Sequence, residues 1–357
     1  MIKRIFTTVS LIFAFSLSFA QTYNGPESVE FDYANNRWLI ANTASHQVLA
    51  RSTTGVLTVF TTLTGSGPYG IEIMGDTLYC CNGSSIKGFS LTTGTLVFNI
   101  TVTGATFLNG ITHDNSGNLI ATDFSAKNIY KINPGSNSFF PIATSLVQSP
   151  NGIIFDAANN RCVFVNWGSN APIKAIDLAT NVVSTVTTTT FSNIDGITRD
   201  GNGNYYIATW GTQSVYKYDS TFSAAGVQVV NSLSNPADIF YNVLSDTLAI
   251  PNAGNNTVTF VGFTTTGIKN AEVKGQLTIY PNPCSTSCRV RIKSADHFPE
   301  VTLRSVDGKI IRDAVATNLF ASDEIEILFD RSKLVNGMYF LEMKNRDQYY
   351  FGKLIIE

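Results

Sequence analysis

Charge is scarce in this chain: Asp, Glu, Lys and Arg supply 14% of its 357 residues, and the formal net charge is -2 at pH 7. Phosphate recognition needs clustered Lys and Arg, and no such cluster occurs, so the sequence points away from a nucleic-acid partner. Long apolar runs are equally rare. After the first twenty residues no segment offers the roughly 20 apolar residues that a helical membrane span requires. There is no Gly-x-Ser-x-Gly elbow and no P-loop, which removes support for serine-hydrolase and nucleotide-dependent chemistry. No window carries a 3.6-residue apolar stripe, so helices are not expected.

Cysteine chemistry is thin as well. There are five cysteines and three histidines, without a Cys-x2-Cys pair or a matching His set, so a thiolate metal site is not indicated. Cys80 and Cys81 are neighbours in a strand-like run and point to opposite faces. Cys284 and Cys288 are too far apart for a bond in a straight strand unless Ser-Thr-Ser turns between them. Buried thiols are the expectation.

What the chain does contain is 44% hydrophobic residues in short runs rich in Val, Ile, Tyr, Phe and Thr, as strands require. Residues 1–20 have Lys3-Arg4, an apolar stretch from Ile5 to Phe19, and Ser18-Phe19-Ala20 before Gln21. That is the pattern of a secretory signal peptide cleaved near Ala20, leaving a mature chain without a transmembrane segment.

Beyond it one short motif recurs six times: Pro26-Glu27-Ser28-Val29, Pro68-Tyr69-Gly70-Ile71, Leu108-Asn109-Gly110-Ile111, Pro150-Asn151-Gly152-Ile153, Ile194-Asp195-Gly196-Ile197 and Pro236-Ala237-Asp238-Ile239. Its third residues fall at 28, 70, 110, 152, 196 and 238. Each motif opens a set of strands separated by polar turns. Asp32 to Asn36, Asp114 to Asn118, Asp156 to Asn160 and Asp200 to Asn204 occupy equivalent turns, where Asn, Asp and Gly accept positive φ. Four-stranded units at this period predict an all-β fold, a six-bladed β-propeller over residues 21–267. The sixth unit shows three strands and no clear fourth. Only Gln21 to Asn24 remain to complete it, so the mode of ring closure is left open.

After a linker at 268–274 the composition shifts. Residues 275–357 alternate as a small β-sandwich, with expected strands at Leu277 to Tyr280, Cys288 to Ile292, Val301 to Ser305, Glu324 to Phe329, Met338 to Met343 and Tyr349 to Ile356. Ile279-Tyr280-Pro281-Asn282-Pro283, Val306-Asp307-Gly308-Lys309, Leu334 to Phe340 and Gly352 to Ile356 follow one another in an order that resembles the C-terminal sorting domain of the type IX secretion system. The resemblance implies that the secretion machinery is a partner and that the protein is secreted or displayed on the outer surface.

In a propeller the start of each first strand and the end of each second strand lie on one face. This puts Glu27, Asn109, Asn151 and Asp195 at the channel mouth, with the loops beginning at Asn42, Asn82, Asp123, Asn166, Thr209 and Asn252. Two carboxylates and two amides make an oxygen-only set that suits Ca²⁺ or Mg²⁺ and tolerates Zn²⁺ or Mn²⁺, with Ca²⁺ the first choice. Asn109 and Asn151 also read as ordinary Asn-Gly turn residues. Ser28, Arg161 and Arg199 are candidate partners for the carboxylates. Trp167 and Trp210 either stack a ligand ring on this face or pack between blades. His113 reads as a hydrogen-bonded channel residue and His46 as a solvent-exposed one.

The propeller also resembles the senescence marker protein/gluconolactonase family through Glu27, Asn151 and Asp195 in the first, fourth and fifth blades. That resemblance implies that these three bind a divalent cation, that Asn109 contacts substrate, and that Asp195 helps activate water against a lactone or ester carbonyl. Phe107 stands where the family has a substrate-binding Arg, which speaks against sugar-acid lactones. NHL-type propellers share the repeat length and the Asn-Gly-Ile motif, and imply the alternative: a non-enzymatic scaffold for a glycan or protein.

Overall fold

The computed structural model describes residues 21–263 and 273–357, apart from 286, 294–299, 306–309, 312–314, 321–323 and 346–347. The signal peptide, the junction near residue 267 and the Val306-Asp307-Gly308-Lys309 motif lie outside the described residues. The chain divides into two compact units, Met1–Thr264 and Thr265–Glu357.

The first unit is a ring of six antiparallel sheets, five with four strands and one with three, each built in simple sequence order. The blades open with inner strands Pro26–Asp32, Ile71–Met74, Leu108–His113, Ser149–Asp156, Ile194–Arg199 and Phe240–Asn242. Second strands such as Thr77–Asn82, Leu119–Asp123 and Tyr205–Thr209 are buried along their whole length, whereas fourth strands such as Leu57–Thr62 are largely open to solvent. That gradient is the signature of blades stacked face to face about an axis. Apolar clusters fill the spaces between blades, for example Tyr79 and Ile86 against Ile111, Leu119 and Tyr130. Each fully buried aliphatic side chain there contributes roughly 1.5–3 kcal/mol.

The Asp-headed turns behave as their sequence requires. Asp32 and Asp114 accept backbone N–H bonds from Asn35 at 3.1 Å and Asn118 at 2.9 Å, and Asn36 and Asn160 take the left-handed conformation, φ 52° and 45°.

Ring closure uses packing rather than a borrowed strand. The sixth blade keeps three strands, Phe240–Asn242, Thr247–Asn252 and Thr257–Gly262. Trp38 of the first blade lies edge-on to Phe260 at 5.1 Å and to Phe240 at 6.2 Å, within a cluster that includes Val29, Phe31 and Ala249. The residues before Pro26 contribute Tyr23 to that cluster and no strand.

The second unit is a two-sheet sandwich. Five strands (Val273–Gln276, Gln348–Ile356, Gly337–Asn345, Glu300–Ser305, Ile310–Ile311) face three (Ser287–Lys293, Glu324–Asp330, Val315–Phe320) across a core including Val290, Leu303, Phe329 and Leu341. One expected strand is corrected. Leu277 and Ile279 are buried, but residues 277–279 form no strand, and only Tyr280 pairs, by an isolated bridge to Arg289. Pro281 and Pro283 lack the backbone donors that would extend a ladder. All five cysteines are buried and free. Among the described residues no helix is long and apolar enough to cross a membrane.

Candidate functional site

The recurring motif is the place where neighbouring inner strands come closest. A Cβ added at Gly70, Gly110, Gly152 or Gly196 would lie 2.1, 2.4, 2.6 or 2.5 Å from the carbonyl oxygen of the preceding motif residue in the next blade. Glycine at these four positions is therefore a packing requirement, and Gly70 N–H donates to the Asn109 carbonyl at 2.9 Å across such a contact. The first and sixth blades depart from the rule with Ser28 and Asp238. There Asp238 N–H donates to the Glu27 carbonyl at 2.9 Å, and Ser28 Oγ donates to Asp238 Oδ2 at 2.9 Å.

This ring brings Glu27, Asn151 and Asp195 together. Asp195 and Asn151 are buried and Glu27 is half-buried. Burial, then the charges of Glu27 and Asp238, push the Asp195 carboxyl well above its ordinary range, against the pull of Trp210 and Asn151. Burial raises Glu27 to about 7. Asp238 also rises to about 7 through burial and the charges of Glu27 and Glu72, offset by its bond from Ser28. Three carboxyls thus share one electrostatic neighbourhood. Asp238 was not a sequence candidate, yet it had a signal: an acid where four blades hold glycine.

Several sequence candidates are placed differently from their expected roles. Ser28 bonds Asp238 rather than Glu27. Arg161 and Arg199 serve another acid, Asp156, with Arg161 Nε 2.9 Å from Oδ2 and Arg199 Nη1 3.1 Å from Oδ1. The mouth carboxyls form no salt bridge among the described residues. Asn42, Asn82, Asp123, Asn166, Thr209 and Asn252 are loop anchors. Asn82 Nδ2 donates to Ser66 O at 2.9 Å, Thr209 Oγ1 to Ser192 O at 2.9 Å, and Asp123 Oδ1 accepts from Phe107 N at 3.1 Å. His46 is exposed, with Nδ1 3.0 Å from Gly67 O. Asn109 is buried on the ring, and among the described residues its side chain makes no hydrogen bond.

Trp167 and Trp210 touch edge to face at 5.0 Å, which ties blades four and five at the mouth. The Trp210 indole N–H lies beside Asp195 but makes no hydrogen bond of regular geometry, leaving a buried donor without a partner. No three His, Cys, Asp or Glu side chains converge in metal-holding geometry among the described residues. The expected set counts two carboxyls, Glu27 and Asp195, and the Asn151 amide, an oxygen type that hard divalent cations accept.

A second polar cluster sits toward the other end of the inner strands. His113 Nδ1 is 2.5 Å from Glu72 Oε1, and burial together with the Glu72 charge pushes the neighbouring Glu30 carboxyl well above its ordinary range. The three line a cavity of about 270 Å³ with Thr112, Thr198 and Phe240. Only His113 was anticipated, as a hydrogen-bonded channel residue.

Residues 278–357 match the family described as the secretion system C-terminal sorting domain. The tail is a sorting signal. Handling by the type IX secretion system follows, and the protein is secreted or held at the outer cell surface. No curated protein is significantly similar to the chain in sequence. Among solved structures, a gluconolactonase from Xanthomonas campestris superposes with a TM-score of 0.58 at 14% identity, covering 67% of this chain and 86% of that one. A protein of unknown function from Bacteroides thetaiotaomicron gives 0.57 at 14% identity, covering 68% and 70%. A chain of the nidogen/laminin complex gives 0.51 at 19% identity, covering 58% and 80%. Identities this low carry the propeller fold and nothing of its chemistry.

Proposed function

We propose that the propeller binds a divalent cation, Ca²⁺ by first choice, through Glu27, Asn151 and Asp195, and that it hydrolyses a lactone or ester there. The observation that carries this reading is the crowding of Glu27, Asp195 and Asp238, none with a cationic side chain as partner among the described residues. Buried acids without counter-charge cost several kcal/mol each unless they are protonated or bind a metal. Bound among them, a divalent cation supplies Lewis-acid polarisation of a carbonyl and a more acidic water.

The chain's own groups then divide the work. Asp195, deprotonated in the loaded site, accepts the proton of the attacking water, a role its raised pKa suits. Asn151 steadies Asp195 and offers an amide oxygen to the cation. Asn109, with its amide unpaired, donates to a substrate oxygen. Asp238, held by Ser28, adds negative charge beside Glu27 and strengthens cation binding from outside the ligand set.

Metal analysis of the full chain after dialysis against calcium and zinc tests the first step. A folded protein without bound metal rejects the hydrolase and leaves the rival reading, a non-enzymatic NHL-like propeller that binds a glycan or protein. With metal bound, Asp195→Asn should lower turnover across a lactone and ester panel by about 10²-fold or more, the usual scale for a lost general base. Retained turnover assigns the chemistry elsewhere.

A further inference from the structure

Aromatic rings border the carboxyl cluster in an unbroken arc. Tyr69 meets Phe107 with ring centres 4.5 Å apart, Phe107 meets Phe124 at 5.7 Å, Phe124 meets Trp167 at 5.9 Å and Trp167 meets Trp210 at 5.0 Å. Every contact is edge to face, with interplanar angles between 61° and 75°. The five residues come from consecutive blades, two through five, and each sits at the start of an inner strand or the end of a second strand. All therefore lie on the face that carries Glu27 and Asp195.

The two ends of the arc are tied to the acids. Tyr69 feels the charge of Glu27, and the partnerless Trp210 indole N–H lies beside Asp195. None of the five rings is fully buried, so the arc keeps apolar area open to solvent at the mouth. It is also held rigidly. The Phe107 and Thr106 backbone amides donate to Asp123 at 3.1 and 2.7 Å, and Asp123 is itself fully buried. Among the described residues no Lys or Arg stacks on any of the five rings.

Tyr69 packs in part against the core between blades two and three, whereas Phe107, Phe124, Trp167 and Trp210 join none of the apolar clusters of the described propeller residues. A fixed, half-open row of ring edges and faces beside a carboxyl cluster suits a flat apolar group on the substrate. We propose that the arc of Tyr69, Phe107, Phe124, Trp167 and Trp210 is the binding surface for an aromatic substituent of the substrate. The site would accordingly take aryl lactones or aryl esters in preference to polyhydroxylated sugar lactones. The substrate class rests on the hydrolase reading given above; binding of an aromatic lactone to the arc does not.

The test uses the full chain and two probes, dihydrocoumarin and glucono-1,5-lactone. Dihydrocoumarin should quench tryptophan fluorescence saturably, and should do so in the chelator-treated full chain, where no turnover competes. Phe124→Leu and Trp167→Leu, which keep apolar volume without a ring, should each weaken that binding by about two- to tenfold, since an aromatic pair contributes roughly 0.5–1.5 kcal/mol. Phe140→Leu, on an exposed outer strand, serves as the control and should change nothing. In turnover, the Leu variants should raise KM for dihydrocoumarin and leave kcat within about twofold, as loss of uniform binding predicts. Quenching that is absent, or unchanged in both Leu variants, overturns the arc as a binding surface. Quenching that behaves as expected with no turnover of either lactone supports the arc and rejects the hydrolase. Turnover with glucono-1,5-lactone equal or preferred rejects the substrate class.

Discussion

Ser28 Oγ reaches Asp238 Oδ2 at 2.9 Å across the seam between the first and last blades. Elsewhere around the ring, glycine lets neighbouring backbones touch; at this junction a hydroxyl and a carboxyl take that space. The same hydroxyl accepts the Ile71 N–H at 3.3 Å, so one side chain links three blades. Because the sixth blade has no strand from the N-terminal segment, the seam depends on this link and on the Trp38 cluster.

Ser28→Ala should therefore destabilise the propeller more than a typical buried serine. It takes the acceptor from the Ile71 amide and one donor from the Asp238 carboxyl, which keeps the Ile197 backbone amide; a buried group left unsatisfied costs about 1–3 kcal/mol. Scanning calorimetry should place its melting midpoint several degrees below that of the parent. A midpoint unchanged within about 1 °C means that packing alone closes the ring.

Glycine at the motif's third position makes a second, sharper test. A Cβ on Gly152 would sit 2.6 Å from the Asp195 carbonyl oxygen, whereas one on Gly262 would meet nothing within 4 Å. Gly152→Ala should cost about 1–3 kcal/mol by overpacking and weaken cation binding by displacing Asp195. Gly262→Ala should stay within about 0.5 kcal/mol of the parent. Denaturant melts of the two variants side by side decide it, and equal stability would contradict the close approach of the inner strands.

The ring of six was legible because a propeller repeats its packing problem. Glycine at the strand contact and Asp-headed turns recur wherever the backbone needs them, so the period emerges from the chain itself. That Glu27, Asn151 and Asp195 come close together was legible for the same reason, as variable residues at a fixed place. Asp238 was less legible, because the position that varies among the other blades is the one before it, held here by Ala237. The aromatic arc was half visible as Trp167 and Trp210. Its continuity through Tyr69, Phe107 and Phe124 depends on ring orientations that spacing does not encode. Arg161 and Arg199 were equally plausible partners for any carboxyl until the turn at Asp156 was seen to claim both.

That turn yields a third prediction. The Asp156 side chain is fully buried and accepts from Arg161, Arg199, Asn159 and Tyr205, the last two at 2.8 and 3.0 Å. Burial pushes its pKa up, but these donors prevail and hold it below the usual carboxylate range. Asp156→Ala leaves two guanidinium groups without their acceptor and should cost about 3–5 kcal/mol. Urea melts give the value. A loss under about 1 kcal/mol would mean that the arginines find other partners in the folded ring.

The channel acids titrate with the opposite sign. Glu27 and Asp238 are raised to about 7 by burial, and Asp195, Glu30 and Glu72 are raised for the same leading reason. An acid whose folded-state pKa lies above its unfolded value binds protons more tightly when folded, so its stabilising effect is greatest in acid and declines as pH climbs from about 4.5 through 7. His113, raised mainly by its bond to Glu72, acts in the same direction: its contribution is full below about 6.5 and fades above its folded pKa. The stabilisation from Asp156 is lost only below about pH 4, so the two effects occupy separate windows. With chelator present, urea midpoints should be higher near pH 5 than near pH 8. Calcium should raise the midpoint near pH 8 far more than near pH 5, where protons compete for the same oxygens. Stability that instead climbs steadily with pH in chelator would show that the mouth acids are already neutralised by a group other than a cation. Calcium that shifts neither midpoint would remove the metal site while leaving the acid cluster in place.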